Sequence, residues 1–119
     1  MLSRPKLVVA NRKMHGNLSD NRQFMESLLR HTQQHAAHYA ICPPHPYLYQ
    51  AQQLLQGSHI AWGGQNMSRF ELGAYTGSVS PLMLREFGCQ YVIIGHSERR
   101  QRGHDNDESC GERFEAALK

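Results

Sequence analysis

The sequence predicts an α/β fold in which four strand–helix units follow one another around a parallel sheet, and three observations carry that expectation. Four short apolar runs alternate with segments of helical periodicity. The runs are continuous in polarity, as in strands covered on both faces. No linker, repeat or low-complexity tract interrupts them, so right-handed crossovers within one domain, residues 1–119, are expected.

The first strand is expected over 6–11, "KLVVAN", a β-branched run ending in polar residues. The second, "HYAICPP" (38–44), is closed by Pro43 and Pro44, which have no N–H to give a ladder. "HIAWGGQN" (59–66) and "QYVIIGH" (90–96) are the third and fourth. After the first strand Asn17 suits an N-cap, and Leu18, Met25, Leu28 and Leu29 form one apolar face. The second helix is expected over 46–57, with Pro46 near its start, Leu54 and Leu55 inward and Gly57 at its end. In the third, 80–88, Ser80 suits the cap, Pro81 the first helical position and Gly88 a left-handed stop. The fourth, 109–119, carries a Ser109-to-Glu112 capping box and a stripe of Cys110, Phe114, Ala117 and Leu118 expected to be buried. An open doubly wound sheet and part of a (β/α) barrel both fit this order, and both put chemistry at the carboxyl ends of the strands.

Composition excludes several classes. Thirteen basic and ten acidic residues give a net charge of +3 without clustering, so neither a nucleic-acid stripe nor a membrane-binding patch is expected. Three cysteines, Cys42, Cys89 and Cys110, are an odd number without a Cys-x-x-Cys, which points to reduced thiols in the cytoplasm. No apolar run is long enough for a signal-peptide core or a membrane span. His31, His35 and His38 have helix-compatible spacing, but with no acidic or thiol ligand beside them no metal site is expected.

The strand tips are more specific. The first strand leads into "ANRKMHGN", with Asn11 and Lys13 at its end; the third ends in "GGQN" and the fourth in "GHSERR". No glycine-rich nucleotide loop follows the first strand, which disfavours an open flavodoxin-like sheet. A lysine, two amides and a histidine are left to point toward one mouth.

"VVANRKMHGN", "GGQN", "GAYTGSVSPLML" and "YVIIGHSERR", in this order and spacing, resemble the triosephosphate isomerase family from about residue 5 to the end. The resemblance implies a (β/α)8 TIM barrel, of which these residues are the first four βα units, a half-barrel. It implies a cofactor-free interconversion of dihydroxyacetone phosphate and glyceraldehyde 3-phosphate through an enediolate. That reaction removes a proton beside a carbonyl and spreads charge over two neighbouring oxygens, which preorganised donors must meet. By resemblance His96 is the electrophile, a neutral imidazole donating to those oxygens. Lys13 is the cation for substrate oxygens and phosphate, and Asn11 a neutral donor beside it. Glu98 would hold Lys13, with Ser97 a turn or support residue. The segment 73–80 resembles a loop that enters a partner subunit in this family, so the resemblance implies a homodimer, with Thr76 near the partner's site and Gln65 anchoring the interface.

Taken singly, these residues have ordinary readings. A histidine at a strand end is most often a surface or satisfied polar group, Lys13 a solvated charge, and Glu98 with Arg99 and Arg100 a surface ion-pair cluster contributing about 0–1 kcal/mol. Gln65 and Asn66 could be turn amides, the cysteines small core residues, and Tyr47, Tyr49 and Phe114 packing.

Two departures from the family pattern matter. Arg12 stands where the family has tryptophan before the lysine, which is expected to loosen the loop carrying Lys13. A complete (β/α)8 barrel, for which this family is the standard example, takes about 250 residues. The family's general-base glutamate, lid and main phosphate loops belong to the second half, so the 119 residues alone are expected to be inactive, with strands 6–11 and 90–96 as open edges. A non-catalytic half-barrel that associates with itself is the competing expectation.

Overall fold

The computed structural model describes residues 6–33 and 36–118. Four parallel strands, β1 (Leu7–Asn11), β2 (His38–Cys42), β3 (Ile60–Gly64) and β4 (Tyr91–Val92), lie side by side in chain order. That order decides between the two architectures. A doubly wound sheet reverses its strand order at a switch point, whereas every crossover here steps to the next position in one direction, as in a barrel wall. The pairing aligns Leu7 with His38 and Asn11 with Cys42, then Tyr39 with Ile60, then Gly63 with Tyr91.

Among the described residues, five helices accompany the sheet: α1 (Leu18–Thr32), α2 (Leu48–Leu55), α3 (Pro81–Glu86), α4 (Ser97–Gln101) and α5 (Asp107–Leu118), with one 3-10 turn at His45–Tyr47 before α2. The expected caps form. Asn17 accepts the Asp20 N–H at 2.8 Å, and Ser80 accepts that of Met83 at 3.1 Å. Gly88 takes φ 78, the left-handed value that ends the third helical segment, and its hydrogen faces Trp62, where a Cβ would collide with the ring.

Met25 from α1, Leu48, Ala51 and Leu55 from α2, Ile41, Ile60 and Trp62 from the sheet, and Met67 and Leu84 form one buried cluster. Burying a leucine such as Leu55 contributes about 1.5–3 kcal/mol. Trp62 keeps its polar end satisfied by donating its indole N–H to the Phe87 carbonyl at 2.7 Å.

Several expectations are corrected. The fourth strand is two residues long, not 90–96. The Ile93 N–H still reaches the Gly64 carbonyl at 2.9 Å, but Gly95 then turns left-handed at φ 70 and leads into α4, a helix the apolar pattern did not announce. Leu18 is exposed; Phe24 takes its place against the core with Leu28 and Leu29. α5 begins two residues early. Its reciprocal cap joins Asn106 and Ser109, each side chain accepting the other's N–H at 2.8 and 3.0 Å, so Ser109 is the second member of the box and not the first. Glu112 is instead ion-paired with Arg69. The inward face of α5 is Cys110 and Ala116; Phe114, Ala117 and Leu118 are exposed, as is Tyr49. β1 pairs only with β2, and Leu7 and Val8 are each about half exposed (49% and 51%), whereas Ala40 and Ile41 in the next strand are buried.

Candidate functional site

The carboxyl ends of β1, β2 and β3 are tied together by one amide. Gln65, the residue after β3, donates its Nε2–H groups to the carbonyls of Lys13 (2.7 Å) and Cys42 (2.9 Å). The Arg12 N–H, donating to the Cys42 carbonyl at 3.1 Å, extends the β1–β2 ladder by one rung. Gln65 therefore has an intrachain clamp to make, beyond the interface role the resemblance implied.

Lys13 sits on this clamp with φ 53, the one left-handed non-glycine residue among those described. That conformation costs a lysine about 1–2 kcal/mol. It is held by the Gln65 bond to its carbonyl, by the Asn11 Oδ1 accepting its N–H at 2.9 Å, and by an ion pair of its Nζ with Glu98 Oε1 at 2.7 Å. Strain of this kind persists only where the surrounding bonds over-determine the backbone. Lys13 and Glu98 are each about half exposed, so the pair positions the ammonium more than it stabilises the fold. The hydrogen bond from Lys13 is the largest influence on the Glu98 carboxyl; with the charges of Lys13 and Arg102 it outweighs burial and holds the group below its ordinary value.

His96 caps α4. Its Nδ1 accepts the Glu98 N–H at 3.1 Å, which fixes the neutral tautomer: with the Nδ1 lone pair engaged, the ring proton is on Nε2 and available for donation. Arg99 and Arg100, next in the same turn, are structural. Arg100 bonds the Gly95 carbonyl at 3.1 Å and Asp107 at 2.8 Å. Arg99 donates to Asp105 through Nε at 2.9 Å, and Arg113 donates to the same carboxylate at 2.6 Å. Asp105 is fully buried; burial alone would push its carboxyl up, but the two guanidinium groups outweigh it and hold it below the usual range. This cluster fastens α4, and with it His96 and Glu98, to α5.

Asn11, Lys13, Gln65, Thr76, His96 and Glu98 all line one cavity of ≈ 1230 Å³ at the carboxyl end of the sheet. Of the residues singled out in the sequence only Ser97 lies off it. One lining residue, His45, was passed over, and Asn66 was weighed only as a turn amide; His45 Nε2 and Asn66 Oδ1 are buried polar atoms without a partner among the described residues. Burial pushes the His45 imidazole down from its ordinary value, with a hydrogen bond to the Asn66 backbone opposing and the Arg99 charge assisting. Both follow strand ends, the place where a barrel's chemistry is expected, and that position was the signal available. Of the three spaced histidines, His35 lies outside the described residues, while His31 donates from Nδ1 to the Ser27 carbonyl at 2.8 Å.

Arg12 does not hang loose. Its guanidinium carbon lies 4.1 Å from the centroid of the Phe24 ring on α1, a cation–π contact worth about 0.5–2 kcal/mol. Among the described residues, no helix is long and apolar enough to cross a membrane.

An imidazole, a fixed ammonium and a side-chain amide are gathered at the carboxyl rim of four parallel strands in chain order, the arrangement of an α/β half-barrel. The family model for triosephosphate isomerase matches residues 6–119, and the chain belongs to that family. The triosephosphate isomerase of Nitrosomonas eutropha is 46% identical over 117 residues, which is 98% of this chain and 46% of that protein. That of Dechloromonas aromatica is 46% identical over 113 residues (95% and 45%), and that of Ralstonia nicotianae 50% over 107 (90% and 43%). The chain thus spans somewhat under half the length of the curated relatives it matches.

Proposed function

We propose that this chain supplies the electrophilic side of a triosephosphate isomerase centre, interconverting dihydroxyacetone phosphate and D-glyceraldehyde 3-phosphate without a cofactor, in the cytoplasm. The observation that carries the reading is the shared rim: Lys13, held against Glu98, and His96, with Nε2 free to donate, line the same cavity. As a proton leaves the carbon beside the carbonyl, charge grows on two adjacent oxygens. His96 Nε2–H donates to both. Asn11, whose Oδ1 accepts the Lys13 N–H, offers its NH₂ as a donor. The Lys13 ammonium supplies a fixed charge to the same oxygens and to the phosphate, and Glu98 keeps it in place. Ser97 supports the turn. A homodimer, with Thr76 near the partner's site and Gln65 at the interface, belongs to the same reading.

In the family resemblance the general-base glutamate belongs to the half of the barrel outside the matched span. A positioned base typically contributes 10²–10⁴-fold. Residues 1–119 by themselves are therefore expected to show no measurable turnover. The test is complementation: the chain is mixed with the remaining half of the Nitrosomonas eutropha relative and isomerisation is assayed. Activity should appear and fall by about 10²–10³-fold with His96→Gln, the usual cost of removing an oxyanion donor. Complemented activity indifferent to His96→Gln would defeat the reading.

The exposure of Leu7, Val8 and Val9 on an edge strand favours one second reading, a non-catalytic half-barrel that associates with its own copies. Sedimentation showing stable oligomers, together with failed complementation, would select it.

A further inference from the structure

Arg12 lies between two residues of the candidate site, yet its side chain takes no part in the cavity. It turns the other way and lays its guanidinium over Phe24, a residue of α1 that itself packs on the core. The backbone of the loop it begins is bonded to its surroundings by the Arg12 N–H on the Cys42 carbonyl, by Asn11 Oδ1 on the Lys13 N–H, by Gln65 on the Lys13 carbonyl and by the Tyr47 hydroxyl on the Gly16 carbonyl. Between those points the chain is open to solvent, with Met14 89% exposed. None of those bonds reaches α1; the Arg12 side chain adds that attachment, directly beside the left-handed Lys13. Its Nε–H is buried without an acceptor. An aliphatic chain of the same length would avoid the cost of that unpaired donor.

We infer that Arg12 is a positioning residue for Lys13: its planar guanidinium, stacked on Phe24, anchors the backbone that aims the Lys13 ammonium at Glu98 and the cavity. Planarity, more than charge, carries the role. The inference rests on the same site as the isomerase reading, but its readout is a titration and not turnover, so either can fail while the other stands.

The Glu98 carboxyl reports whether Lys13 is in place, because the Lys13 hydrogen bond is the largest influence holding it down. Its midpoint is followed by carboxyl ¹³C NMR in the 119-residue chain, with Lys13→Met defining complete loss of the pair. Arg12→Met and Phe24→Leu should each raise the midpoint by at least half of the Lys13→Met shift, and the double variant by no more than the larger single. Arg12→Tyr keeps a planar group without charge and should leave the midpoint low. Should Arg12→Met unfold, as judged by Trp62 fluorescence, Arg12→Gln takes its place with the same expected rise, and a folded Arg12→Gln whose midpoint stays low overturns the proposal equally. A Glu98 midpoint that stays low in folded Arg12→Met and Phe24→Leu, or one that rises to the Lys13→Met value in Arg12→Tyr, overturns the proposal. So does a parent chain in which Lys13→Met moves nothing.

Discussion

Replacing Asp105 by asparagine removes one negative charge from a fully buried position between Arg99 and Arg113 while keeping the side chain's shape. The carboxylate accepts two short bonds, 2.9 Å from Arg99 and 2.6 Å from Arg113, and a third contact from Arg99 at 3.3 Å. Hydrogen bonds to charged groups contribute about 1.5–3 kcal/mol each, and breaking a buried pair costs about 3–5 kcal/mol. Arg99 and Arg113 keep partial access to water, 34% and 18%, so each can rehydrate in part and the lower end applies. The expected loss is about 3 kcal/mol, or a Tm lower by about 12 °C at about 4 °C per kcal/mol for a chain of this size. Urea unfolding followed by the single tryptophan, Trp62, measures it. A pH series adds a second constraint. The folded-state pKa of Asp105 is depressed, so its contribution is full above the unfolded value, about 3.9, and is lost as the pH falls through the folded value below that. The gap between parent and variant should hold constant from pH 7 to 5 and begin to close below about pH 4. A variant within about 0.5 kcal/mol of the parent at pH 7, the range of an ordinary surface change, refutes the reasoning.

Two further outcomes follow from packing and burial. Gly63→Ala sets a Cβ into the Tyr91 backbone, 2.7 Å from its carbonyl carbon, where nothing flexible can yield; a loss of about 3 kcal/mol is expected, with hydrogen exchange rising at Gln90 and Ile93, the amides that link β3 to the fourth strand. Burial, with a contribution from Cys89, pushes the Cys42 thiol up to about 12, and burial pushes Cys89 up to about 11. At pH 8 their thiolate fractions are then on the order of 10⁻⁴ and 10⁻³, so brief iodoacetamide treatment should leave both unlabelled in the native chain and label both in urea. Mass spectrometry reads the result, and prompt native alkylation of Cys42 would contradict its placement.

The local features were legible because each is settled within a few residues. Asn17 and Ser80 cap where their side chains can reach an amide three positions on, prolines 43 and 44 end a strand they cannot extend, and Gly88 stops the third helical segment in a conformation other residues resist. Where two local solutions competed, the pattern misled. Asn106 and Ser109 cap α5 in preference to Ser109 and Glu112, because Glu112 finds Arg69 across space. The apolar stripe through Phe114 and Leu118 stays in solvent because the face of α5 that the fold covers is the one carrying Cys110 and Ala116.

Sequence alone established the alternation of strands and helices, most of their capping, and, through four motifs, the family. Packing decided the rest. Whether the strands run in unbroken order, that Gln65 ties three strand ends together, that Arg12 lies on Phe24 and that Lys13 meets Glu98 from the far end of the chain all depend on which surfaces the crossovers bring together. Hydrogen-bonding groups three or four residues apart find each other in any compact chain, whereas groups at opposite ends of a sheet meet only when every intervening unit has packed with the same hand.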